Sequence, residues 1–220
     1  MTSTGRPGWL VPTGLILLTA IPVGAGAFRV SQLAGGAAVT PDNARFFATP
    51  LPVVLHIIGA SAYCVLGAFQ FAPALRREHP RWHRVAGRVL VPAGLVAALS
   101  GLWMALFYPL PAFDGDLVKV FRLVFGTGMV AALVLGFRTA RRRDFRAHRA
   151  WMMRAYAIGQ GAGSQAFTHL SWMAVFGDPT VFQRALLMLA GWVVNLAVAE
   201  WFIRRRPVLV ARRSTEPVTA

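Results

Sequence analysis

Acidic side chains are scarce in this chain. Eight Asp and Glu stand against 23 Lys and Arg, a formal net charge of +15 over 220 residues, and lysine itself is confined to Lys119. An excess of base invites nucleic acid as a partner. The arginines, however, gather in short clusters beside apolar runs and form no separate basic domain to lay on a duplex, so no nucleic-acid partner is expected and membrane-flanking charge is. On composition, the arginine bias points to a GC-rich bacterial genome. Cysteine is limited to Cys64, inside an apolar run, which excludes an internal disulfide and leaves the redox compartment unread. Segments of about ten residues with alternating hydrophobicity are missing, which excludes a transmembrane barrel. Ser-His-Asp, paired-carboxylate and cysteine-rich zinc patterns are missing too. GQGAGS at Gly159 lacks the G-x-G-x-x-G spacing and lies in a lipid-depth run, so its glycines read as close helix packing. Catalysis has no positive support.

What the chain has instead is long apolar runs. It is 56% hydrophobic and 14% charged, with a mean hydropathy of +0.53, which predicts an all-α polytopic membrane bundle in one domain over residues 1–206. Six transmembrane helices are expected at about 9–28, 51–72, 85–108, 118–137, 150–176 and 186–203, with residues 207–220 as a flexible cytoplasmic tail. The Ala25-Gly26-Ala27 triplet resembles a signal-peptidase site, so a cleaved signal peptide competes with a retained first helix. The amino terminus, the loops after the second and fourth crossings with their helix-entry arginines, and the tail hold 18 Lys and Arg, against 5 on the other side. By the positive-inside bias both termini are cytoplasmic, the membrane is the bacterial inner membrane, and anionic headgroups face the basic clusters.

Two crossings carry polar residues where lipid would reject them. In the second, His56, Tyr63 and Gln70 are spaced seven apart and share one face, with Gly59 and Gly67 near it. In the fifth, Arg154, Gln165, Thr168 and His169 fall on one face roughly 100° wide at 100° per residue. Such faces look inward, toward protein or water. The fifth crossing also starts on the same device as the third: RWHRVAGR at Arg81 is echoed by RAHRAWMMR at Arg146.

Three motifs in order, a His in the second crossing (His56), HR-x-x-GR entering the third (His83, Arg84, Arg88) and HR-x-WM-x-R entering the fifth (His148, Arg149, Arg154), resemble the predicted bacterial membrane proteins grouped as domain of unknown function 2306. The likeness runs from about residue 48 to 176. It implies an integral membrane protein and supplies no activity.

At the cytoplasmic boundary Arg88, Arg154 and Glu200 should occupy a similar depth. Glu200 is the only acid inside an apolar span, so a pair with Arg154 or Arg88 is expected, as a clamp or as an anion or proton site. The histidines pose the sharper question. His56 lies about 9 Å and His169 about 12 Å from the outer ends of their helices, so they are expected to face each other at one level, with Tyr63 and Gln165 deeper along the same seam and a pocket opening there. Opposed imidazoles hold six-coordinate haem b, and imidazole also binds other metals. The inner pair, His83 and His148, is a second candidate. Against haem, His148 and His169 stand roughly 31 Å apart along one helix, and His beside Arg at an interface more often contacts phosphate or a helix start. His79 and His83 have a chelating spacing, but Pro80 sits between them. The bland alternative is that each imidazole satisfies a backbone carbonyl or hydroxyl in a closed core. The leading expectation is a small-ligand binding or transport-like membrane module between the second and fifth crossings. The alternative is a haem-binding electron carrier, with quinone as a candidate substrate.

Overall fold

Proline and polar caps set where the helices begin. Pro50, Pro73 and Pro80 stand in the first turns of their helices, where the missing N–H costs nothing. Asp144 caps the helix that starts at Phe145 by accepting from the Ala147 N–H, and Thr180 with Gln183 forms a reciprocal capping box. The computed structural model describes residues 8–205. Among them the elements are α1 (Leu10–Ala34), α2 (Ala44–Ala48), α3 (Pro50–Ala68) prolonged by a 3-10 turn (Phe69–Phe71), α4 (Pro73–Glu78), α5 (Pro80–Phe107), α6 (Asp116–Arg141), α7 (Phe145–Gly159), α8 (Gly161–Phe176) and α9 (Val181–Arg204). Five of these, α1, α3 with its 3-10 turn, α5, α6 and α9, are long and apolar enough to cross a membrane.

Helix ends overshoot the apolar runs on which the sequence expectation rests. α5 begins at Pro80 and α6 continues to Arg141, because backbone bonding proceeds through charged residues until a cap or turn stops it. The tail expected at 207–220 lies outside the described residues. The larger correction concerns the crossing expected as one helix over 150–176. It is interrupted at Gln160, whose carbonyl accepts from Gly163 N (3.1 Å) and Ser164 N (3.4 Å).

A break inside the bundle leaves carbonyls without helical partners, so protein must satisfy them. It does: Asn195 Nδ2 of α9 donates to Ala157 O (3.1 Å) and the Cys64 thiol of α3 to Gly159 O (3.4 Å). The Gln160 side chain, on a residue 3% exposed, accepts from Thr19 Oγ1 of α1 (3.0 Å) and donates to the Tyr156 hydroxyl (2.7 Å), which donates in turn to Cys64 O (2.6 Å). One break is thereby tied to α1, α3 and α9.

The packing is inverted relative to a soluble domain. Leu133, Val118 and Pro12 are the largest fully buried side chains, whereas Leu17, Ile21, Phe28, Val175 and many others face outward. Helices in lipid gain nothing from hiding Leu, so they associate through small residues and hydrogen bonds. Gly59 brings α3 against the α5 backbone, where an added Cβ would lie 2.9 Å from Ala93 O, and Gly163 seats α8 on the Leu18 carbonyl of α1.

Around the bundle the order of contact is α1, α3, α5, α6, α9, α8 and back to α1, while α7 packs on α6, α9 and α3. α7 therefore fills the centre. Beyond the break α8 leans on α9 and α1, and the centre is left open at that end.

These contacts make a paired prediction for thermal unfolding in detergent. Gly163→Ala should lower stability by roughly 1–3 kcal/mol, since its methyl would meet backbone that cannot move aside. Gly128→Ala has Ile158 Cδ1 at 3.8 Å as its nearest neighbour and should be neutral or slightly stabilising. Equal effects would mean that α1 and α8 are not in register.

Candidate functional site

The opening left by α8 is a cavity of about 520 Å³. Its floor and flanks come from His56 and Tyr63 on α3, from Phe125 and Met129 on α6, from Met188 and Trp192 on α9, and from Gly159, Ala162 and Gln165 around the break. Its rim comes from the α1–α3 connection with Arg45, the α5–α6 connection with Asp114, and the start of α9 with Arg184. A smaller cavity of about 90 Å³ lies behind it against Thr19, Pro22 and Val23 of α1, and His56, Ala60, Cys64, Gly159 and Ala162 line both.

The rim is a charge cluster. Asp114, with a side chain 1% exposed, accepts from Arg122 Nη2 and Arg184 Nε, each at 2.7 Å. Arg45 completes it without a hydrogen bond or ion pair among the described residues; its guanidinium lies 4.6 Å from the Phe46 ring centre. Burial pulls the Arg45 pKa below its ordinary value; the Asp114 carboxylate and, more weakly, Asp42 oppose that shift, and Arg122 and Arg29 add to it. It stays a cation at any physiological pH. Three guanidiniums and one carboxylate leave the rim with a surplus of positive charge.

Arg45 is held by an ordered connection. The buried Asn43 donates to Ala38 O (3.0 Å) and accepts from Thr40 N (2.7 Å). Phe46 packs edge-on to Tyr108 at 5.6 Å, and the Tyr108 hydroxyl donates to Thr49 O (2.5 Å). The five-residue α2 is thus fastened to the end of α5 over the cavity mouth.

Deeper in, His56 Nδ1 lies 2.8 Å from Ala97 O. A carbonyl only accepts, so Nδ1 carries the proton and Nε2 is left as an acceptor. Tyr63 is 4% exposed; a Cβ added at Gly94 or Gly159 would come within 2.9 Å of its ring. Its hydroxyl makes no hydrogen bond among the described residues. Opposite, Phe125 and Trp192 stack at 4.6 Å. The α3 flank of the cavity is polar and the α6–α9 flank is apolar.

Of the residues the sequence singles out, His56, Tyr63 and Gln165 meet at this cavity and His169 does not. His169 Nδ1 donates to Gln165 O of its own helix at 2.7 Å. The stripe also ties the helices together: Gln165 Nε2 donates to Met188 O (3.0 Å), Thr168 Oγ1 to Leu187 O (3.1 Å) and Ser164 Oγ to Asn195 Oδ1 (2.7 Å). A bis-histidine haem would need both imidazoles at one cavity, and only His56 lines it. No group of three or more His, Cys, Asp or Glu placed to hold a metal ion occurs among the described residues.

The inner-boundary motif forms a separate cluster. Arg154 grips Glu200 with Nε (2.5 Å) and Nη2 (3.1 Å) and lies 4.9 Å over the Trp151 ring, and Arg204 approaches the same carboxylate at 3.7 Å. Arg88 and Arg84 are exposed. His148 Nδ1 donates to Gly136 O at 2.8 Å, closing the α6–α7 turn. His83 and Arg149 lie near the starts of α5 and α7. None of these residues lines the cavity.

Sequence reasoning passed over Asp114, Arg45, Arg122 and Arg184 except as loop charges. Their signal was present: Arg45, Arg122 and Arg184 are three of the five positive charges on the side that the positive-inside bias leaves nearly bare.

The sequence model of one family, described as "Predicted membrane protein (DUF2306)", matches residues 53–203, from α3 into the last turn of α9. No curated protein and no solved structure matches the chain.

The rim cluster makes Asp114→Asn a sensitive substitution. It leaves two arginines facing each other without a countercharge and should cost roughly 1–3 kcal/mol. Adding Arg184→Gln should cost less in that background than in the wild type, because the pair is already broken. Additive losses in thermal unfolding would mean that the three side chains do not act as a unit.

Proposed function

The chain belongs to the DUF2306 family of predicted membrane proteins, and on that footing we propose that it is a multi-pass protein of the bacterial inner membrane whose outward-facing cavity binds a small, largely apolar ligand. The observation that carries the reading is the 520 Å³ cavity itself. Small-molecule sites measure roughly 300–1,000 Å³ and combine an apolar lining with a few convergent polar groups. Here Phe125, Met129, Met188 and Trp192 supply the lining, and His56, Tyr63 and Gln165 the polar groups.

In this reading α7 and α8 together make a sixth crossing. The two helices cover residues 145–176, about 45 Å of helix at 1.5 Å per residue against a hydrocarbon core of about 30 Å. Six crossings return both termini to one side, and 18 of the 23 positive charges make that side the cytoplasm, where they face anionic headgroups. The rim with Arg45, Asp114 and Arg184 is then on the outer side. Binding is favoured over passage, because on the inner half α7 fills the centre and Tyr63, Leu90, Leu133, Ala155 and Tyr156 form a core beneath the cavity.

Reporter fusions test the topology: those after Arg77 and Arg143 should report the cytoplasm and those at Asp42, Asp114 and Asp178 the outside. A cytoplasmic signal at Asp114 overturns the six-crossing arrangement.

Ligand-induced stabilisation tests the binding. Decanol at a hundredfold excess over its Kd should add about 2.7 kcal/mol, a rise of roughly 5–10 °C in Tm for a chain of this size. Ala60→Leu, which fills space between the two cavities, should fold and lose most of that rise. A rise of the same size in both proteins would place the binding elsewhere, and no rise in either would end the reading.

A further inference from the structure

We propose that the ligand of this cavity is an anionic amphiphile: an alkyl chain ending in a carboxylate or phosphate, with its head at Arg45 and its chain along the α6–α9 flank. The inference rests on the cavity being a binding site and adds the chemical class of its occupant.

Three observations converge on it. The first is the uneven use of charge at the rim. Asp114 accepts from Arg122 and Arg184 at 2.7 Å each, whereas Arg45 makes no hydrogen bond or close ion pair among the described residues: its guanidinium rests on the Phe46 ring, and Asp114 and Asp42 act on it only at longer range. A half-buried guanidinium presents five N–H donors and strongly prefers an anion that accepts two of them.

The second is order. A free arginine on a floppy loop would be a solvated charge. Arg45 instead sits on α2, fastened through Asn43 on one side and through the Phe46–Tyr108–Thr49 contacts on the other. Its position at the mouth is fixed before a ligand arrives, so little conformational entropy is lost on binding.

The third is what lies beyond the head site. Leu102, Phe125, Met129, Met188 and Trp192 continue the cavity inward as apolar surface. An inorganic anion would leave that surface wet, and a neutral apolar molecule would leave Arg45 unanswered. A molecule with one anionic end and one apolar end satisfies both. The surplus positive charge of the rim also disfavours a cationic amphiphile, whose head would meet three guanidiniums and one carboxylate already shared by two of them.

Two sources carry this chemistry, a fatty carboxylate and a monoacyl phospholipid with an exposed phosphate. The experiment uses the full chain in a non-ionic detergent and measures dissociation constants by native mass spectrometry for decanoate, decyl phosphate, decanol, octanoate and inorganic phosphate. At least one of decanoate and decyl phosphate should bind tenfold or more tightly than decanol, as expected for a charge-assisted hydrogen bond. The tighter of the two identifies the head. Shortening decanoate to octanoate should weaken binding by roughly tenfold, two buried methylenes' worth, and inorganic phosphate should not compete.

The preference for the anion should collapse in Arg45→Gln and largely survive in Arg45→Lys, which keeps the charge. Decanol binding as tightly as both anions in the wild type, or a preference that persists in Arg45→Gln, overturns the proposal while leaving the cavity a binding site. An anion preference without chain-length dependence also overturns it, in favour of a surface headgroup contact. Failure of every alkyl compound to bind removes the cavity reading itself.

Discussion

The arrangement of this bundle depends on one constraint, that a backbone carbonyl at membrane depth must find a donor within the protein. The break at Gln160 frees backbone carbonyls inside the bundle, and it persists because Asn195 answers Ala157 O and Cys64 answers Gly159 O. With those donors in place α8 need not continue along the axis of α7, and it settles on α1 and α9. The central space that α7 fills on one half is then open on the other. Cavity, rim and polar flank all follow from that departure.

The polar residues divide into those that hold the break and those that face the cavity. Thr19, Tyr156, Gln160, Ser164 and Asn195 bond to one another or to backbone, so they act as the glue that small-residue helix packing requires in lipid. His56, Tyr63 and Gln165 line the space that the break creates. Charge divides in the same way. At the inner boundary Glu200 and Arg154 satisfy each other. At the rim one carboxylate serves two arginines and a third arginine is left over. The ends of the bundle differ in that the carboxylate at one is shared by Arg154 and Arg204, whereas the carboxylate at the other serves Arg122 and Arg184 and leaves Arg45 without a close ion pair.

The expected pairing of His56 with His169 shows how far a helical pattern reaches. Matched depth along two helices is legible, because rise per residue is nearly constant. Azimuth is not, once a helix is interrupted: His169 turns its Nδ1 onto Gln165 O of its own helix and does not line the cavity, while Gln165, nearer the break, does. The glycines beside the break also provide the close packing that the sequence predicts: Gly159 lies against Tyr63 and Gly161 against Trp192. Nothing local distinguishes a packed glycine from one flanking a break, since the distinguishing donors sit on α3 and α9.

The sequence by itself determined the all-helical membrane class and the position of each apolar run, because hydrocarbon imposes those on any chain residue by residue. It also marked Glu200 as needing a cation, since a lone acid in an apolar span has few alternatives. Only the tertiary structure decided which cation, and that the fifth run is two helices. It also brought Arg45, Asp114, Arg122 and Arg184 together from separate connections and helix starts to rim a single cavity. Those outcomes depend on donors and charges brought together from distant parts of the chain, and a linear pattern holds no record of which ones will meet.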